Sequence, residues 1–257
     1  MGMSEDESGP LVICLASDIE ADPFLKADKL TLNLTKREHE GKMGSSFFPL
    51  SIYTGKINDS KNLYHENFLF VVTGIGKEPA IQSAKWIAEQ KPKLTLNIGF
   101  AGGLNPSLKV ADFVIPAEIK NLSGEKISCN NWAHFPKINA SGALLTSETI
   151  IHTSGEKASL SSAADAVDME SFYLGSVMQS YHIPFYCIKI ISDTSGESFP
   201  VDFSKAVKNG KIIPLKAILL ILQKLPGIPF SMKFAIRSSQ LSKKLYHFVF
   251  SDGTIFK

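Results

Sequence analysis

Two carboxylates, Glu170 and Asp193, close the ends of the segment AVDMESFYLGSVMQSYHIPFYCIKIISD, and a third, Glu20, follows the first apolar run of the chain. An acidic residue at the start of a helix and another just past a buried strand can converge at one end of a sheet. In open α/β folds that end is where ligands bind. An acid and an anion placed together there suit cleavage of a bond whose transition state is a sugar cation. Taken singly, each carboxylate is better explained otherwise: Asp168-Met169-Glu170 would complement a helix dipole, and Asp193 would cap a turn. With Glu20 and a glycine-rich turn they form a cluster of strand-end groups.

That turn is Asn97-Ile98-Gly99-Phe100-Ala101-Gly102-Gly103-Leu104. Three glycines after a buried strand let the backbone approach a ligand, and its N–H groups could hold an anion or a sugar hydroxyl. A purely structural turn accounts for them equally well. Gly74-Ile75-Gly76 also follows a strand and precedes a helix, but the third glycine of a dinucleotide fingerprint is replaced by Pro79, so it reads as a tight turn. The six histidines have no metal-ligand spacing, and neither a G-x-S-x-G elbow nor an H-E-x-x-H helix is present. Cys14, Cys129 and Cys187 are far apart and odd in number, giving neither a disulfide framework nor a zinc site.

The elements that would position these groups follow from the apolar pattern. Leu11 to Ala16 and Asn67 to Val72 read as buried strands, and Lys77 to Gln90 as a helix closed by Pro92. Leu94 to Ile98 is the next strand, so this stretch is a βαβ unit with parallel pairing. Phe113 to Ile119 adds a strand, Asn121 to Ala140 a polar surface loop, Met169 to His182 a helix and Phe185 to Ile191 a strand. Residues 211 to 250 read as two amphipathic helices broken at Pro226-Gly227-Ile228-Pro229.

Composition bounds the class. The 257 residues are 44% hydrophobic and 20% charged, as in ordinary globular proteins, and can bury a substantial core. The polar, acidic start MGMSEDESGP is unlike a secretory signal, and no apolar run reaches the roughly 18 residues of a membrane span. The net charge of +2 hides an asymmetry, because the stretch from Val201 onward holds ten Lys or Arg and two acids. The expected organisation is a disordered tail (1–9), a catalytic body (10–200) and a basic helical extension packed on it (201–257).

The chain resembles the purine nucleoside phosphorylase/methylthioadenosine nucleosidase superfamily. The resemblance lies in T-G-I-G-K (73–77), N-I-G-F-A-G-G-L-N-P-S-L-K-V-A-D (97–112), A-V-D-M-E-S (166–171) and I-I-S-D (190–193). It implies a three-layer α/β/α sandwich around a mixed twisted sheet. It also implies cleavage of the N-glycosidic bond of a purine nucleoside, with adenine as product. By position, Asp193 corresponds to the acid that protonates purine N7, with Ser192 orienting it and burial among Ile188, Ile190 and Ile191 keeping it protonated. Glu170 corresponds to the carboxylate that grips the ribose hydroxyls, with Met169 packing under the sugar. Ile150 and Ile151 match the segment lining the base, and Gly99, Phe100, Ala101 and Gly102 the turn facing the sugar.

Three departures bear on the attacking group. Phe100 takes a small hydroxyl position, Lys189 stands where an arginine is usual, and Asn97 replaces an arginine of phosphate-binding members. Glu20 corresponds to the water-activating glutamate. Water or phosphate therefore remains open as acceptor, with Lys189 as the charged partner of phosphate. No other cofactor, no metal and no nucleic acid is implied. The family suggests a cytoplasmic homo-oligomer, and a catalytically impaired nucleoside-binding protein is the alternative. The basic tail resembles that of hopanoid-associated phosphorylases, which act on adenosylhopane. Its two helices would lie against the inner face of a membrane or pack on the core with their lysines solvated.

Overall fold

Strand β1 (Leu11–Leu15) sets the plan of the molecule, because all five of its residues are buried but they serve two different cores. Val12 and Cys14 belong to one cluster, and Leu11, Ile13 and Leu15 to another. Side chains alternate across a strand, so a strand apolar at every position must be covered on both faces. The computed structural model describes residues 9–26, 35–43, 46–56, 67–129, 142–198, 207–208, 211–212 and 227–250.

In chain order, β1 is followed by α1 (Asp18–Leu25), β2 (Thr35–Met43), β3 (Ser46–Lys56), β4 (Asn67–Val72), α2 (Lys77–Glu89) and β5 (Leu94–Gly103). Then come β6 (Phe113–Val114), β7 (Glu118–Asn121), β8 (Lys126–Ser128), β9 (Leu144–Thr146), α3 (Ser154–Leu160) and β10 (Ala166–Asp168). The chain continues through α4 (Ser171–Ser180), β11 (Phe185–Asp193), a small pair β12 (Val207–Lys208) and β13 (Lys211–Ile212), and α5 (Gly227–Phe250). The main sheet runs β2-β3-β4-β1-β5-β10-β9-β7-β8, with β11 joined to β5 and β6. β4, β1, β5 and β11 are mutually parallel along their shared edges, whereas β2, β3 and β10 enter antiparallel. It is a mixed α/β sheet, as the motifs imply.

One face carries α2 and α4, through Ala80, Ala84, Ile87, Phe172, Leu174 and Met178. The other carries α1 and α5, through Ala21, Phe24, Leu241, Leu245 and Val249. Each fully buried aliphatic side chain contributes roughly 1.5–3 kcal/mol, so these two layers hold the sheet. On the second face Phe24 also meets Tyr246 and Phe250 edge to ring, at 5.4 and 5.8 Å between centroids.

Several expectations shift. Helix α4 starts at Ser171 rather than Met169, because Asp168 ends a strand and Glu170 sits at the N-cap without capping it. The strand expected over Phe113–Ile119 is two strands, parted around Pro116, whose missing N–H cannot join a ladder. The loop expected from Asn121 begins with a β7–β8 hairpin, and residues 130–141 lie outside the described residues. In the tail a single described helix runs from Gly227, at the expected break, to Phe250. Proline is tolerated in a first helical turn, where its N–H would have no partner, so Pro229 starts this helix instead of interrupting it. Residues 213–226, expected in the first of the two helices, fall outside the described set, as does the segment 1–8. No described helix is long and apolar enough to cross a membrane.

Candidate active site

A cavity of about 240 Å³ opens beyond the carboxyl ends of β1, β4, β5 and β11. Its wall holds four carboxylates, Glu20, Asp168, Glu170 and Asp193, together with Ser17, Ile19, Ile75, Phe100, Ala101, Gly102, Ile150, Ile151, Met169, Ser192 and Ser238. Among the described residues no lysine, arginine or histidine lines it. Among the described residues no group of His, Cys, Asp and Glu is arranged to hold a metal ion.

Glu20 is placed by the start of α1. The run Ser17-Asp18-Ile19-Glu20 is a capping box, in which the Ser17 hydroxyl accepts from the Glu20 N–H and Glu20 accepts back from the Ser17 N–H at 2.9 Å. The other Glu20 oxygen accepts the Phe100 N–H at 2.8 Å. Helix start and glycine-rich turn are thus tied through one carboxylate. Burial raises the Glu20 carboxyl above its ordinary value, while the Lys189 charge and the N–H donors of Phe100 and Ser17 pull it back. A Cβ on residue 99 would stand 2.6 Å from Glu20 Oε1, so Gly99 is what admits Glu20 to this position.

Glu170 reaches across to the other glycine turn, accepting the Gly76 N–H at 2.8 Å. Burial, reinforced by neighbouring Asp168, pushes its carboxyl up to about 8. Beneath it Asp168 is saturated. It accepts from Thr146 Oγ1 at 2.7 Å, from the Ser171 N–H at 3.1 Å and from the Ser171 hydroxyl, and pairs with Lys189 Nζ at 3.0 Å. Burial alone would lower the Lys189 ammonium; Asp168, with Cys187, Glu170 and Glu20 nearby, overrides that and raises it.

Asp193 owes its aim to a bulge. The β11–β5 register runs Ile191 opposite Ala101 and then Asp193 opposite Gly102, so Ser192 is the extra residue. A bulge of this kind bends the strand and re-aims the next side chain. Ser192 Oγ donates to Asp193 Oδ1 at 2.5 Å, and Asp193 Oδ2 is ion-paired with Lys157 Nζ, a fully buried side chain on α3. The same ammonium reaches the Thr194 carbonyl at 2.8 Å and the Glu197 carbonyl at 3.0 Å. Behind this turn Arg237 of α5 grips the Glu197 carboxylate at 2.9 Å and the Ser192 carbonyl at 3.1 Å.

Of the residues singled out from sequence, Glu20, Phe100, Ala101, Gly102, Ile150, Ile151, Met169, Glu170, Ser192 and Asp193 share this one cavity. Two do not. Lys189 follows Cys187 on the α2/α4 face of β11 and pairs with Asp168 below the wall, so it offers no charge to an anion in the cavity. Gly99 likewise lies behind the wall, under Glu20. Asn97 is also remote, donating to Ser171 Oγ at 2.6 Å. The expected apolar setting of Asp193 is instead an ionic one, supplied by Lys157. Lys157, Ser17, Gly76, Arg237 and Ser238 are the residues that the sequence reading missed. The S-x-x-E pattern was the signal for Ser17; nothing local marks the others.

With this geometry in place, the chain's relatives make one class. Residues 10–136 match the sequence profile of the phosphorylase superfamily. The chain is similar to that superfamily over this stretch, just under half of its length. It is 29% identical over 205 residues to a 5′-methylthioadenosine/S-adenosylhomocysteine nucleosidase of Buchnera aphidicola subsp. Schizaphis graminum, covering 68% of this chain and 85% of that one. Its fold matches the futalosine hydrolase of Helicobacter pylori strain 26695 with a TM-score of 0.64 at 16% identity, over 93% of this chain and 97% of the other. A Helicobacter pylori methylthioadenosine nucleosidase mutant, solved with 5′-methylthioadenosine in its active site, matches at 0.61 with 18% identity, over 93% and 98%.

Proposed function

We propose that this protein hydrolyses the N-glycosidic bond of a 5′-modified adenosine, releasing free adenine, with water rather than phosphate attacking the sugar. The observation that carries the reading is a cavity walled, among the described residues, by four carboxylates and by no cationic side chain. A phosphate dianion entering such a site would meet no cationic side chain among the described lining residues, since Lys189 is committed to Asp168 and Lys157 to Asp193. Anionic walls instead stabilise the positive charge that develops on the sugar.

In this reading Glu20 takes the proton of the attacking water, and its fixed hydrogen bonds hold it at the mouth of the glycine turn. Glu170 accepts from the ribose 2′- and 3′-hydroxyls, whose donors favour its charged form on substrate binding. Met169 packs under the sugar, and Ile150 and Ile151 flank the base. Asp193 delivers a proton to purine N7, which turns a poor leaving anion into a neutral base. General-acid help of this kind is typically worth about 10²–10⁴ in rate.

Incubation with methylthioadenosine and adenosine, with and without phosphate, followed by chromatography, tests this directly. Free adenine with ribose-type product at equal rates in both buffers is expected. Ribose-1-phosphate formation would replace water by phosphate, and binding without turnover would leave a nucleoside-binding protein. Asp193→Asn should lose about 10²–10⁴ in turnover while still binding nucleoside.

A lipid-substituted nucleoside such as adenosylhopane is the second reading, favoured by α5. Ser238 lies in the cavity wall while Ile236, 60% exposed, and Lys233, Lys243 and Lys244 face solvent on the same helix. An anionic membrane surface would attract that face. Faster turnover of adenosylhopane in anionic vesicles than of soluble methylthioadenosine would select it.

A further inference from the structure

The buried Lys157–Asp193 pair has a chemical consequence for the acid. Lys157 Nζ donates to Asp193 Oδ2 inside the protein, so a proton of the lysine lies on the contact between the two side chains. The leaving purine needs a proton, and this contact offers one. We propose, building on the nucleosidase reading, that Lys157 is the positioning residue that loads Asp193 with the proton the purine receives.

The geometry supports a fixed relay. Lys157 is held by Asp193 Oδ2 and by the carbonyls of Thr194 and Glu197, so its ammonium is held on three sides by acceptors within the 193–197 turn. Oδ1 is oriented independently by Ser192. Gly102 lies in the cavity wall against this carboxylate, where an added Cβ would stand 3.2 Å from Oδ2. The absence of a side chain there leaves the carboxylate open to a planar base.

The step balances. As the C1′–N9 bond breaks, its electron pair stays on the purine. Purine N7 takes the proton from Asp193, Asp193 takes one from Lys157 Nζ, and Lys157 is left as a neutral amine. The oxygen of water bonds to C1′ and its proton passes to Glu20. Exchange with solvent returns that proton to Lys157 and releases neutral purine. The charged groups around Asp193 in this process are Lys157 from α3, Arg237 from α5 through the 192–197 turn, and Glu20, Asp168 and Glu170 across the cavity.

Two substrates separate proton supply from mere structure. Methylthioadenosine needs a proton on its leaving base, whereas a para-nitrophenyl riboside leaves as a stabilised phenolate and needs none. Lys157→Met should lower kcat on the nucleoside by about 10²–10⁴ and leave the aryl riboside near the wild-type rate. Lys157→Arg keeps the charge but cannot release a proton, so it should lose nucleoside turnover to a similar extent. That variant decides the matter if Lys157→Met does not fold. Equal losses on both substrates, or full activity of Lys157→Arg, would overturn the relay. A wild type that cleaves neither substrate would overturn the nucleosidase reading beneath it.

Discussion

Lys189–Asp168 and Lys157–Asp193 are the same pair of side-chain types, both buried, at neighbouring points of one cavity, and they do different things. Asp168 accepts four donors, from Thr146, Lys189 and both polar groups of Ser171. A carboxylate offers about four acceptor sites, and three of these donors crowd onto Oδ2, which leaves that oxygen nothing for a ligand. Asp193 accepts two, from Lys157 and Ser192. The remaining acceptor capacity is directed at the cavity. What separates a scaffold from a reagent here is the count of donors around a carboxylate, not its burial, since the two differ little in exposure.

The contrast can be broken at its structural end first. Lys189→Met leaves Asp168 as an uncompensated buried charge beside Glu170 and Glu20, and should cost about 3–5 kcal/mol of stability in denaturant titration. Restoring neutrality with Asp168→Asn in the same chain should recover part of it.

Glu170 provides a second, pH-dependent test. Its carboxyl is raised from 4.5 to about 8, so between those values the folded protein keeps a proton that the unfolded chain releases. That group's contribution is therefore fully present below about 4.5 and is lost as pH rises toward 8. In the substrate-free protein Glu170→Gln should flatten the fall in Tm across this window, and an unchanged slope would refute the assignment. The smallest effect belongs to Arg237→Gln. The Arg237 and Glu197 side chains are 29% and 30% exposed, so losing their pair should cost only about 0.2–1 kcal/mol, although the turn that holds Lys157 loses its outer support.

Much of this was legible in the chain because strands buried on both faces write continuous apolar runs. Leu11–Leu15 and Phe185–Ile191 read directly as sheet interior, and the D-M-E-S and I-S-D pieces placed Glu170 and Asp193 at one end of it. The failures have physical causes. Lys157 sits in a short polar segment, Ser154–Leu160, whose composition is that of a surface helix; its burial depends on where α3 docks against the end of β11. Lys189 was read as an anion partner, but strand alternation turns it toward α4, away from the cavity. Gly76 and Phe100 act through backbone N–H groups, which no side-chain identity reveals.

The capping box of α1 carries one more implication, for heat. The same Ser17–Glu20 contacts that begin the helix also hold Glu20 over the glycine turn. Helix ends open at far lower cost than sheet interiors. Each fraying of that first turn therefore withdraws Glu20, the proposed base, while the sheet stays intact. Turnover should vanish at a temperature below the one at which circular dichroism shows the fold to melt.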